Sequence, residues 1–392
     1  MTATMPSTRL GATRVPISRS RVRRQTLDVP LMLAVAAILV IGSLMVWAAT
    51  KNNAGLNGGH PNSFFERQLV NIAIGVVLFV AVLATDYRWL RILAPVVYVA
   101  SILGLLLVMA IGSTVNGARS WIHVAGMSIE PSEFVKLSIA LASAVVVAER
   151  TEGRRRPPGV WEAAAIIALY AVPAGMIMLQ PDLGSTLVLS AMVFGILAVA
   201  GLSWRWLVGL LLSVGVVGTV VVTTHILKTY QLNRLLAFTN PSLDPQGAGY
   251  NTIQARIAVG NGGVLGHGLF QGAQTRAGFV PEQHTDFIFT VAGEEFGLIG
   301  SGLLILLFAI VVWRIVRIAV RSEDMFGRVA AAGIACWLAF EVFQNAGMCL
   351  GIMPVTGVPL PLVSYGGTAM FATMMGLGLV QNIHLRSHSL LR

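Results

Sequence analysis

The chain has 392 residues, 55% of them hydrophobic and only 11% charged, and a formal net charge of +10. That composition excludes an ordinary soluble domain, in which about a quarter of the residues are charged. The basic excess could suggest a nucleic-acid partner, but its placement argues against one. With the amino terminus taken as cytoplasmic and the loops assigned alternately, nineteen of the 27 Lys and Arg fall inside and eight outside. Such an imbalance orients a membrane protein, so the surplus is a topology signal with both ends in the cytoplasm.

Residues 1–29 form a basic tail without apolar periodicity, expected to be disordered. The first apolar run, 30–50, is longer than a signal-peptide core and reads as an uncleaved anchor. Further runs follow at 66–85, 90–112, 131–149, 160–178, 183–201, 205–226, 286–313, 327–351 and 362–382. Each holds about 19 to 30 residues, enough at 1.5 Å per residue to cross about 30 Å of hydrocarbon. The expectation is an all-α integral membrane protein of about ten transmembrane helices, one domain over 30–386 with a short tail at 387–392. Cys336 and Cys349 share one predicted helix, roughly 20 Å apart, and cannot form a disulfide.

Three external segments interrupt the apolar pattern. Asn116 to Ile129 holds an Asn-Gly turn signal followed by Arg119 and Trp121, the latter either a headgroup-level anchor or part of a site. Directly after it, Pro131 suits a first helical turn, and Glu133 and Lys136 lie three apart on one helix face. Ionisable residues inside a span must pair or face a polar cavity, so these two are an ion pair or a cavity wall. The second segment is the long loop 227–285 between the seventh and eighth spans. It carries Arg234, Arg256 and Arg276, and seven glycines between 260 and 278. Glycine-rich backbone can offer N–H groups to an anion or can simply be flexible. No Walker A pattern is present. The loop closes on Pro281-Glu282-Gln283-His284-Thr285-Asp286 at the start of the eighth span. Asp286 there is either a helix cap or a reactive acid. The third segment, Gly351 to Gly367, has three prolines in eight residues (354, 359, 361), tolerated at membrane depth only where backbone is buried or lines a wet cavity. Together these segments predict a polar cleft open to the outside.

The motifs PEQHTDFIF (281–289), GEEFGLIG (293–300), NGARSWI (116–122), PSEFVK (131–136), QPDLGS (180–185) and PVTGVPLPLVSYGG (354–367) resemble the SEDS family of bacterial shape, elongation, division and sporulation proteins. The likeness spans about residues 30–386, and the PEQHTDF form resembles the elongation branch more than the division branch. The resemblance implies a ten-helix peptidoglycan glycosyltransferase of the cytoplasmic membrane that polymerises lipid II on the outer face. It also implies a class B penicillin-binding protein as partner. The family's essential acid falls on Asp286, its external-loop tryptophan on Trp121, and its fourth-helix pair on Glu133 and Lys136. Two positions depart from the pattern: Glu130 stands where the family often has glutamine, and His267 where it often has lysine.

The residues fit that chemistry. A sugar hydroxyl attacking an anomeric carbon needs one positioned carboxylate as general base. Pyrophosphate is a good leaving group, so a second acid is dispensable, while positive charge is needed to receive it. Asp286 as base, with Arg119, Lys136, Arg234, Arg256 and Arg276 as external cations and His284 beside it, meets the requirement. Whether a divalent cation (Mg or Mn) joins the site is open at this level. The competing functions are a flippase for the same lipid-linked precursor, a division-type polymerase and a non-enzymatic scaffold. Clustering of the intramembrane charges toward the outer ends favours chemistry at the outer face.

Overall fold

The computed structural model describes residues 26–115, 118–124, 127–151, 159–223 and 247–386. In chain order the helices are α1 (Val29–Lys51), α2 (Ala54–Asn57), α3 (Ser63–Ala84) and α4 (Tyr87–Ile111). Three short strands follow, β1 (Ser113–Val115), β2 (Ala118–Val124) and β3 (Met127–Ile129). Then come α5 (Pro131–Thr151), α6 (Val160–Leu179), α7 (Leu183–Val199), α8 (Trp204–Thr223), α9 (Ala248–Asn261) and α10 (Ala273–Ala277). The carboxy-terminal part is α11 (Ile288–Arg321), α12 (Met325–Leu350) and α13 (Gly367–Arg386). Seven of the described helices are long and apolar enough to cross a bilayer, and α7 is apolar but shorter. The chain is a multi-pass helical membrane protein.

Local sequence explains the helix starts. Asp28, Asp86, Asp182 and Asp324 each accept a backbone N–H as side-chain caps of α1, α4, α7 and α12. Asp28 is also gripped by the Arg314 guanidinium from the end of α11. Packing follows side-chain size. α5 carries Ser132, Ser138, Ala140, Ala142, Ser143, Ala144 and Ala148, all buried, and sits at the centre against α4, α6, α7 and α12. Small residues let helix backbones approach closely where lipid removes the hydrophobic drive. The outer helices instead present large apolar side chains, such as Val77 and Val80 on α3 and Val96, Leu103 and Leu106 on α4.

Two features differ from the sequence expectation. In a chain expected to be all-α, the external segment before α5 folds as an antiparallel β1-β2-β3 sheet in which Ser113 opposes Trp121 and Ile122 opposes Ile129. The eighth span is a 34-residue helix broken at Gly297, whose φ of 66° is left-handed. An unbroken helix of that length would be about 51 Å long. The glycine-rich loop is stitched into the break. His267 N and Gly268 N donate to the Glu294 and Glu295 carbonyls, and Leu298 N and Ile299 N donate to Gly263 O and Val264 O. The loop backbone thereby replaces helical hydrogen bonds at the break. These glycines permit close backbone approach to α11, which is their physical use here. Glu294 completes the join by accepting from Gln274 N, Thr275 N and the Thr275 hydroxyl at 2.7–2.9 Å.

Candidate functional site

A cavity of about 700 Å³ opens where the amino-terminal ends of α3, α5, α7 and α11 meet β2 and the 351–367 segment. Asp286, Trp121, Glu133, Lys136 and His284 all line it, as the sequence suggested. So do Arg67, Glu130, Asp182 and Glu282.

Asp286 is held by its backbone. Glu282, itself left-handed at φ 48°, accepts from the amides of Thr285, Asp286 and Phe287, which closes a tight turn before α11. The cap position of α11 belongs to Phe287, with no side-chain cap bond. Three successive carbonyls are then clasped from a distant part of the chain. Tyr365 N donates to His284 O at 2.9 Å, the Ser364 hydroxyl to Thr285 O at 2.5 Å, and Asn345 Nδ2 to Asp286 O at 2.7 Å. Gly357, at φ 72°, faces the carboxylate, and a Cβ there would lie 3.1 Å from Asp286 Oδ2. The lack of a side chain at 357 makes room for the acid. An acid set on a rigid turn by three cross-chain bonds is preorganised for one geometry.

Lys136 is buried and engaged. Its ammonium donates to Glu133 at 2.6 Å and also to Glu341 of α12, over the Trp337 ring. The expected pair is therefore a triad whose third member lies 205 residues away. Glu341 was invisible as a partner because nothing in its local sequence points to α5.

Three of the expected substrate cations do not reach the cavity. Arg119 donates to Gly112 O at 2.8 Å and Ala110 O at 2.9 Å, at the carboxy end of α4. Arg256 does the same for Leu350 O and Gly351 O after α12. Carbonyls at helix ends lack intrahelical donors, and a guanidinium supplies several. Arg276 sits exposed on α10 and is absent from the lining. Arg234 lies outside the described residues. Besides Lys136, a described cation that does reach the wall is Arg67, which the sequence marked only as one of the eight external charges. Its signal was the spacing Phe64, Arg67, Asn71, one face of α3.

The acids are crowded. Glu130 is pushed well above the usual carboxylate range by burial first, then by repulsion from Asp182 and Glu133, which the Ser132 hydroxyl and Lys136 only partly offset. Burial holds the His284 imidazole below its ordinary range, with Glu282 opposing. His284 is thus a neutral ring at pH 7. Asp182 both caps α7 and lines the cavity. Among the described residues no group of three or more His, Cys, Asp or Glu is arranged to hold a metal ion.

A raised folded value for Glu130 contributes stability at acid pH and loses it as pH climbs from the usual carboxylate range through that value. Glu130→Gln, nearly isosteric, should therefore melt with the wild type near pH 5 and above it at pH 8. Each kcal/mol recovered is worth about 1 °C in a chain of this length, at about 2 cal/mol/K of unfolding entropy per residue. Thermal unfolding of the purified protein at both pH values measures it, and a variant less stable at pH 8 would contradict the crowding.

This is a polytopic membrane protein with one preorganised acid in a polar cavity at a single end of the bundle. A family model for FtsW, RodA and SpoVE, described as cell cycle protein, matches residues 29–389, and the chain belongs to that family. Peptidoglycan glycosyltransferase MrdB of Escherichia coli K12 is 36% identical over 358 residues, covering 91% of this chain and 93% of its own. A probable peptidoglycan glycosyltransferase FtsW of Halothiobacillus neapolitanus is 36% identical over 390 residues, 96% of this chain and 90% of its own. Among solved structures, a chain from a peptidoglycan synthase complex coordinating polymerization and crosslinking superposes with a TM-score of 0.76 at 34% identity. It covers 93% of this chain and 99% of that one. The rod shape determining protein RodA of Thermus thermophilus gives 0.68 at 30% identity, with 93% and 98% covered.

Proposed function

We propose that this chain is a peptidoglycan glycosyltransferase that polymerises lipid II into glycan strands at the outer face of the bacterial cytoplasmic membrane. The observation that carries the reading is the clasped Asp286 facing a cavity whose wall also presents Arg67. It is supported by relatives that bear that activity in their names. Asp286 accepts the proton of the acceptor sugar hydroxyl as that oxygen attacks the anomeric carbon of the donor. The bond to pyrophosphate breaks, and the leaving group carries its charge toward Arg67. Lys136, bound to two carboxylates, organises the cavity floor.

The ten spans of this reading are α1, α3 to α8 and α11 to α13, with 227–285 as the external loop and both termini cytoplasmic. The PEQHTDF form favours a role in elongation. Likeness to a chain of a synthase complex supports a class B penicillin-binding protein as partner. Orientation is checked with single cysteines at His60 and Ser203, both exposed, in a background lacking the two native thiols. An impermeant maleimide should label His60→Cys and spare Ser203→Cys in intact spheroplasts, and the reverse would invert the topology. The function itself is tested by incubating purified protein, with its partner present, with lipid II. Polymer is expected, and none from well-folded protein would sink the reading.

A further inference from the structure

The α3 side of the cavity, beside the turn that carries Asp286, holds further recognition groups. Phe64, Arg67 and Asn71 lie at i, i+3 and i+7 on α3 and all line the cavity. The Phe64 ring meets Tyr365 edge-on at 4.8 Å and His284 at 5.1 Å, and His284 lies 5.8 Å from Tyr365. Aromatic packing alone does not account for this wall. The Tyr365 hydroxyl and the Asn71 amide are half-buried, face the cavity and have no partner among the described residues. Half-buried polar groups without protein partners in a cavity are poised for a ligand.

Depth orders the groups. On the orientation proposed above, α3 runs inward from Ser63. Arg67 then lies about 4.5 Å deeper than Phe64, and Asn71 about 10 Å deeper. A lipid-linked donor has its chain in the bilayer, its diphosphate above that, and its first sugar above the diphosphate. Diphosphate oxygens therefore match the level of Arg67 and Asn71, both N–H donors. The first sugar matches the level of Phe64 and Tyr365. A pyranose has an apolar face of C–H groups and a rim of hydroxyls. An aromatic wall with one phenol suits both, since such rings combine apolar area with a polar handle.

We propose that Phe64 and Tyr365 form the subsite for the amino-sugar ring attached directly to the donor diphosphate, with Asn71 joining Arg67 on the diphosphate itself. This rests on the glycosyltransferase reading and names the place of its donor. The sugar ring lies on the aromatic wall, the Tyr365 hydroxyl bonds to its rim, and the anomeric carbon is presented toward Asp286 on the adjoining turn.

The test is binding by the full chain in detergent, read by calorimetry. The probes are polyprenyl diphosphate alone and the same diphosphate carrying one N-acetylated amino sugar. Wild type should bind the sugar-bearing compound on the order of tenfold more tightly, the worth of a ring contact plus a neutral hydrogen bond. Phe64→Leu and Tyr365→Phe should each cut that advantage to about threefold, with the affinity for bare diphosphate unchanged. Asn71→Ala should weaken both compounds alike. Tyr365→Phe keeps the ring and the backbone bond to His284, so it stays informative even if Phe64→Leu folds poorly. A full sugar advantage in a well-folded Tyr365→Phe variant would overturn the subsite. So would loss of affinity for free glycan strands in place of the lipid-linked sugar, which would give the wall to the acceptor. Failure of the wild type to bind either diphosphate is a separate result and counts against the glycosyltransferase reading.

Discussion

Asp286→Asn is expected to fold, insert and bind the partner while losing glycan polymerisation by about 10²- to 10⁴-fold, the usual worth of a general base. The change preserves shape, and the three bonds that fix this turn all go to backbone carbonyls, which the substitution does not touch. Asp286→Glu retains the charge and displaces it by one methylene. Gly357 leaves the present carboxylate about the room it needs. A misplacement of about 1 Å can cost about a hundredfold, so Glu should fail as well. Polymer formation from lipid II by wild type and both variants, each checked for monodispersity, is the measurement. Equal polymer from wild type and the Asn variant would remove Asp286 as the base. A flippase would make no polymer at all, and its translocation would respond to changes deep in the bundle.

Lys136→Met should cost about 3–5 kcal/mol of stability, the penalty for stripping the partner from a buried charge. The structure sharpens which substitution is severe. Among the described residues Lys136 is the cation paired with both Glu133 and Glu341, so its loss leaves two buried carboxylates side by side. Glu341→Gln leaves Lys136 paired with Glu133 at 2.6 Å and should fold nearly as well as wild type. Reading the two residues of α5 alone would rank Glu133 and Lys136 as equals. The triad ranks the lysine well above either acid. Thermal melting of Lys136→Met and Glu341→Gln in the same detergent decides it. A methionine variant that melts with the wild type would show that the triad does not hold the core.

Much of the architecture could be read from the chain because in a bilayer the solvent itself enforces it. Apolar runs long enough to cross must be helices, since no water is present to satisfy loose backbone. Their limits accordingly came out within a few residues for α1, α4, α6 and α12. Glu133 and Lys136 stood out for a related reason, since ionisable residues inside an apolar helix are costly and so conspicuous, whereas Asp286 and Trp121 were singled out by the resemblance of their motifs.

The cations were the opposite case. An exposed arginine in an external loop carries no local mark of its partner. Arg119 and Arg256 went to helix-end carbonyls, while Arg67 came to the cavity because α3 turns that face inward. The glycine loop, open in sequence to anion binding or to flexibility, is a splice in α11, and only the break at Gly297 reveals that. By itself the sequence determined the membrane class and the main apolar spans, because hydropathy is a local property, while the choice of Asp286 rested on the resemblance of its motif. The tertiary structure decided which charges face one another, because Glu341 and Lys136, or Asn345 and Asp286, meet only when helices far apart in the chain pack side by side.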